Sequence, residues 1–347
     1  MLSVYNGNAC DRQTLFNEKY IRTFHARALA TRAPPRSLQS IRYKDEAFLL
    51  MTSPINKSMD RNDLLTPDGL RFATRLNGLA QELEQKRLPV TSWYGGLSRP
   101  PIELSTAGMR SFARRLLGRT RRIGAIAEIN RGGANYMPVP GVTSDDRHPW
   151  FLYWEAYWVM AHGPILSSQS RVLDAGGTAS LFSYSLASRG PETHSVDLNE
   201  RLVAAGKETS RTMNWNLHSY CMDMANLQFD DAYFDHAYSI CVFEHLDAGL
   251  RQRALREIAR VLKPGGTLSL TFDYGAPGVH LAGRGPNYEP RNLIRTQDDI
   301  HDHFFSCDAY EPVGNARFFD NGKRYLAWPD DPDQKYTFGA VFLRKVR

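Results

Sequence analysis

Apolar residues in this chain recur at two periods, and the switch between them marks out its elements. Thr66-Pro67-Asp68 predicts a helix start, with Thr66 as cap and Pro67 in the first turn; Leu70, Phe72, Leu76, Leu79 and Leu83 follow at helical spacing, and Leu88-Pro89 ends the run. Residues 11–32 also read as a helix, stopped at Ala33-Pro34-Pro35, and the apolar run 41–51 fits either a strand or a short helix. Ser105 opens a basic amphipathic helix in which Met109, Phe112, Ala113, Leu116 and Leu117 share a face. Residues 131–147, rich in Gly, Pro and Asp, read as a linker. The run 148–162, HPWFLYWEAYWVMAH, then predicts a buried covering helix with Glu155 as its lone acid.

From Arg171 the pattern becomes strand, turn, helix, strand. Val172 and Leu173 supply a buried strand, and Asp174, Gly176 and Gly177 form a tight turn. Leu181, Phe182, Leu186 and Ala187 share a helix face, and Ser195-Val196-Asp197 closes a second strand. A glycine turn at a helix N-terminus lets the backbone approach a ligand, while an acid ending the next strand accepts from a ribose diol. The segment therefore predicts an adenosine-type cofactor. A dinucleotide fingerprint requires G-x-G-x-x-G, and Gly176-Gly177-Thr178-Ala179-Ser180-Leu181 lacks its later glycines.

The same turn resembles motif I of the class I S-adenosylmethionine-dependent methyltransferases, D-x-G-x-G-x-G. Asp174 and Gly176 are kept, while Thr178 and Ser180 stand where later glycines are usual. Three further stations follow in family order. Asp223-Met224 matches the position that meets adenine, Phe234 to Ser239 the fourth strand with Glu244-His245-Leu246 behind it, and Lys263-Pro264-Gly265-Gly266 the turn before the fifth strand. The resemblance implies an α/β fold: a doubly wound, seven-stranded, mostly parallel sheet of Rossmann-like type in the order 3-2-1-4-5-7-6. It expects the pair 316–319 and 337–343 to close that sheet as a hairpin. The mainly helical, Arg-rich region 1–147 is expected to be an acceptor-facing addition to a methyltransferase domain at 148–347.

Composition bounds the rest. The 347 residues are 42% hydrophobic and 23% charged, as in globular chains. Residues 1–150 carry 23 Lys and Arg against 13 Asp and Glu, a balance of +10, so a total of +6 leaves −4 for the remainder. Nineteen of those basic residues are Arg, which suits carboxylate or phosphate contacts and equally a GC-rich coding bias. No nucleic-acid module accompanies them, so no nucleic-acid partner is expected. Cys10, Cys221, Cys241 and Cys307 show no metal or redox spacing, and no metal is expected. His301-Asp302-His303 reads as a solvated helix end. With neither a signal-peptide pattern nor a long apolar run, a cytoplasmic location without membrane span is the expectation.

The resemblance assigns the cofactor, S-adenosylmethionine with S-adenosylhomocysteine as product, to Asp174, Gly176, Gly177, Asp197, Leu198, Asp223, Met224 and Ser239. Asp197 would take the ribose, Asp223 and Met224 the adenine, and Ser239 the sulfonium side. His245 is the candidate general base, with Tyr274 and Asp273 behind it. The expected reaction is methyl transfer to oxygen or nitrogen of a small-molecule or saccharide acceptor, possible anionic character following from the Arg-rich half. The glycine- and proline-rich stretch 275–292 is a candidate acceptor loop. The rivals are a partner protein that retains the fold without turnover, and an NAD-dependent oxidoreductase, which the missing glycines disfavour.

Overall fold

The computed structural model describes residues 54–92, 96–98, 148–275, 294–328 and 331–346. The readings for 11–32, 41–51, the basic helix from Ser105, the linker and most of the 275–292 loop lie outside the described residues. The first described elements are β1 (Lys57–Ser58), α1 (Arg61–Leu64) and α2 (Pro67–Gln85). Thr66 caps α2 as its sequence requires, accepting from the Gly69 amide at 3.1 Å. Phe72, Leu76 and Leu83 form the buried face of α2. A two-stranded ribbon follows, β2 (Val90–Thr91) with β3 (Leu97–Ser98).

The aromatic run is α3 (Trp150–His162), and residues from Trp150 to Val159 are buried on nearly every side. Such a helix needs partners all round. One side lies on the sheet, where Phe151 stacks on Phe338 at 4.9 Å between ring centroids. The other meets the upstream segment: Trp154 donates to Asp63 at 2.7 Å and Trp158 to the Ile55 carbonyl at 2.9 Å.

The remaining elements are β4 (Arg171–Ala175), α4 (Leu181–Ala187), β5 (Glu192–Asp197), α5 (Glu200–Met213), β6 (Leu217–Cys221) and β7 (Phe234–Ile240). After these come α6 (Ala248–Val261), β8 (Leu262–Tyr274), α7 (Gln297–Ile300), β9 (Tyr310–Pro312), β10 (Leu326–Trp328) and β11 (Asp331–Lys345). The main sheet runs β6-β5-β4-β7-β8-β11, all parallel except β11. This is the doubly wound, Rossmann-like class I arrangement. Its strands are buried on both faces, so Val172 belongs to the core under α3, α4 and α5, and Leu173 to the core under α6. The Lys263–Gly266 turn appears as a bulge: β7 advances from Phe234 to His236 while β8 advances from Leu262 to Thr267.

The closing edge corrects the sequence reading. Residues 337–343 do lie in β11, antiparallel to β8, but 316–319 form no strand and contribute one bridge, from Phe319 to Lys57. Three short strands instead share the far side of β11: β9 at Leu343–Lys345, β1 at Gly339–Ala340 and β10 at its start. β1 arrives from the region expected to stand outside the methyltransferase domain. Fully buried Asn56 secures it, donating to the Val313 and Asn315 carbonyls at 2.8 and 2.6 Å and accepting from the Phe342 amide at 2.7 Å. Residues 54–92 thus share one core and one sheet with the strands that follow.

Candidate active site

The carboxyl ends of β4, β5, β6 and β7 converge on Gly176. Its φ of +87° suits glycine, and a side chain there would run into Val242 and Met224. Its amide is tied to β5 through the Val196 carbonyl at 2.8 Å. A Cβ on Gly177 would collide with the Asp174 carboxylate, so that acid lies directly against the turn. Asp174 is fully buried, and neither oxygen has a hydrogen-bond partner of normal geometry among the described residues. Burial pushes its carboxyl up to about 7, eased by the neighbouring Ser183 hydroxyl and reinforced by the charge of Asp197.

The two missing glycines have structural replacements. Thr178 fits because Gly206 on α5 leaves room, with the Thr178 methyl 3.3 Å from where a Cβ at 206 would stand. Ser180 caps α4, accepting from the Ser183 amide at 3.0 Å. Between them Ala179 takes a left-handed φ of +63°, and Thr91 of β2 holds its carbonyl with an amide bond of 2.8 Å. The Thr91 hydroxyl also donates to the Thr178 carbonyl at 3.3 Å. An upstream strand therefore braces the turn.

At the end of β5, Asp197 accepts from the Asn199 amide at 2.8 Å, and burial lifts its carboxyl to about 6. Leu198 beside it is 61% exposed. Beyond β6, exposed Asp223 accepts from the Ala225 amide at 2.9 Å, while buried Met224 reaches back to the turn. Seven of the eight expected cofactor residues, Asp174 to Met224, thus line one edge of three adjacent parallel strands.

The family model described as "Methyltransferase domain" matches residues 173–270, from β4 through β8. The chain carries a class I S-adenosylmethionine-dependent methyltransferase domain. A ubiquinone/menaquinone biosynthesis C-methyltransferase of Methylobacterium nodulans is 34% identical over 132 residues, 36% of this chain and 52% of the relative. A ubiquinone biosynthesis O-methyltransferase of Coxiella burnetii is 32% identical over 97 residues, 28% of this chain and 41% of that one. The chain thus spans about half the length of the curated relatives it matches. A solved S-adenosylmethionine-dependent methyltransferase from Aquifex aeolicus superposes with a TM-score of 0.40 at 14% identity, covering 55% of this chain and 90% of that one.

Two of the remaining candidate residues have hydroxyls engaged elsewhere, and the third is exposed. Ser239 is fully buried and donates to the Ala175 carbonyl at 2.8 Å, so its hydroxyl joins β7 to β4 instead of facing the sulfonium. Tyr274 is 1% exposed and donates to Asp320 at 3.1 Å, with the Arg324 guanidinium 5.1 Å above its ring. It is a core residue with an occupied hydroxyl, unsuited to proton transfer with an acceptor. His245 sits exposed in a 3-10 turn, Phe243–His245, its Nε2 3.9 Å from a Glu244 oxygen.

Periodicity could not find the residues that gather beside this turn. Cys241 follows β7 with a left-handed φ of +51°, and its Sγ and one carboxylate oxygen each from Glu244 and Asp273 all lie within 4.8 Å of one another. Glu155 comes from α3 with an oxygen 2.7 Å from that sulfur. Only its isolation within an apolar run marked Glu155 in the sequence.

The buried acid of the turn predicts a pH signature. Asp174 has a folded value near 7 against roughly 3.9 unfolded, so it costs nothing at low pH. Stability is lost as pH rises from the unfolded value through the folded one. The Asp174→Asn variant removes that loss. Its melting temperature without cofactor should match the parent's near pH 4 and exceed it by several degrees at pH 8. A difference that does not grow with pH would show that Asp174 carries no such strain.

Proposed function

We propose that this chain transfers the methyl group of S-adenosylmethionine to oxygen or carbon of a small-molecule acceptor. The observation that carries the reading is the convergence of Asp174, Asp197 and Asp223 around Gly176. The residues present fit the cofactor: a buried carboxylate without a partner at the turn suits a cationic amino-acid end, and Asp197 suits a ribose diol. Exposed Leu198 offers an apolar face for adenine beside the Asp223-Met224 turn. Bound there, S-adenosylmethionine supplies an electrophilic methyl group.

The chain's own task is positioning, which accounts for much of the acceleration in such a displacement. His245 would take the proton that an acceptor hydroxyl gives up. The relatives' names add carbon to the expected oxygen or nitrogen and point toward quinone-type acceptors more than saccharides. The +10 balance of residues 1–150 favours an anionic one. The structural roles of Thr178 and Ser180 argue against an eroded, inactive turn.

Calorimetry tests the cofactor directly. S-adenosylmethionine and S-adenosylhomocysteine should bind with micromolar affinity and NAD should not. NAD binding without response to either sulfur compound would overturn the reading; where the sulfur compounds bind, labelled donor screened against small acceptors identifies the product.

A further inference from the structure

Four groups that the cofactor frame does not use meet at the ends of β7 and β8. Cys241, Glu244 and Asp273 are each partly buried, and Glu155 beside Cys241 is fully buried. Each comes from a different element: the turn after β7, the 3-10 turn, the end of β8, and α3. Outside the cluster's own side chains, the Thr271 hydroxyl eases Glu155 and the backbone at 244 and 273 eases Glu244. One oxygen of Glu155 and one of Glu244 have no hydrogen-bond partner among the described residues, and the Glu244 side chain is only 8% exposed. Burial and mutual repulsion raise all three carboxyls and the Cys241 thiol. The facing positive groups are Arg251, whose guanidinium donates to the Phe243 and Leu246 carbonyls, and His245 beside Asp273.

We propose that Cys241, Glu244 and Asp273, backed by Glu155, bind a divalent transition-metal ion of the zinc type. A thiolate with two or three carboxylates is a mixed sulfur and oxygen set, which suits Zn2+ or Co2+ and excludes the all-oxygen preference of Mg2+ and Ca2+. The ion replaces the protons that otherwise neutralise the cluster, so binding releases protons and strengthens with pH. It supplies the partner that the two orphan oxygens lack. Val242, the residue after Cys241, forms the wall over Gly176, so the ion stands one residue from the cofactor turn. A site with an open position there would polarise an acceptor oxygen. That role rests on the methyltransferase reading; the binding itself does not.

Cobalt separates the possibilities. The full chain, stripped with chelator, should take up one equivalent of Co2+ and show a thiolate-to-cobalt charge-transfer band in the near ultraviolet, displaced by Zn2+. Cys241→Ser should abolish the band, and Glu155→Gln should keep it while weakening affinity by about tenfold or more. Glu192, His194 and His218 also gather within ligand distance elsewhere, but cobalt bound there gives no thiolate band. Absence of the band, or its survival in Cys241→Ser, overturns the proposal. Should Cys241→Ser fail to fold, an unweakened Glu155→Gln overturns it equally. Calorimetry with S-adenosylhomocysteine on the stripped protein reports separately on the cofactor site.

Discussion

Asp197→Ala should weaken S-adenosylhomocysteine binding by about tenfold or more while leaving the unliganded protein as stable as before. The carboxylate ends β5 facing the turn, where it would accept from two ribose hydroxyls. Removing one partner of a buried hydrogen bond costs about 1–3 kcal/mol, which corresponds to roughly tenfold to a hundredfold in affinity. The fold itself asks little of this side chain. Its described bond goes to the Asn199 amide, and α5 has its own cap in Asn199, which accepts from Arg201 at 3.0 Å. Burial already raises the Asp197 carboxyl to about 6, so at neutral pH its removal relieves a cost that offsets the lost turn bond. Titration calorimetry with melting curves checks both halves. Unchanged affinity would place the ribose partner elsewhere, and a large fall in melting temperature would make Asp197 structural.

Deleting residues 1–147 should give insoluble protein. The sequence alone favours an acceptor-facing domain that is no detachable appendage, and its deletion would leave cofactor binding detectable while abolishing transfer. The contacts of residues 54–92 argue for the insoluble outcome instead. The deletion removes β1 from the sheet edge, α1 and α2 from α3, and β2 from the carbonyls of Thr178 and Ala179. It uncovers Trp154 and Trp158 on the side where their indole N–H groups donate to Asp63 and the Ile55 carbonyl and where Lys57 lies over the Trp158 ring. An apolar patch of that kind on an unpaired sheet edge promotes association. Expression of residues 148–347, followed by size exclusion and melting analysis, decides the matter. A soluble monodisperse product with the parent's melting temperature would overturn the prediction.

Local signals placed the strand-turn-helix-strand unit well. Asp174, Gly176 and Asp197 occur within one strand-turn-helix-strand unit, where short-range spacing dictates geometry. Thr66 before Pro67 and the Lys263–Gly266 turn are equally local, and each appears where its chemistry requires. Ser239 and Tyr274 were misassigned because position along a strand says nothing about what a hydroxyl meets. A neighbouring strand took one, through the Ala175 carbonyl, and Asp320 took the other.

By itself, then, the sequence determined the order of elements, the glycine turn after β4 and the acids near the ends of the first two core strands. These depend on hydrophobic period and backbone conformation, which a few adjacent residues control. The tertiary structure alone decided three further things. Residues 54–92 complete the sheet edge and brace the turn, although 281 or more positions separate β1 from its partners in β11 and 87 or more separate Thr91 from Thr178 and Ala179. Glu155 on α3 meets Cys241 across 86 residues. The acids at 155, 244 and 273 become one buried cluster because desolvation and charge repulsion act through space, between groups that no spacing along the chain connects.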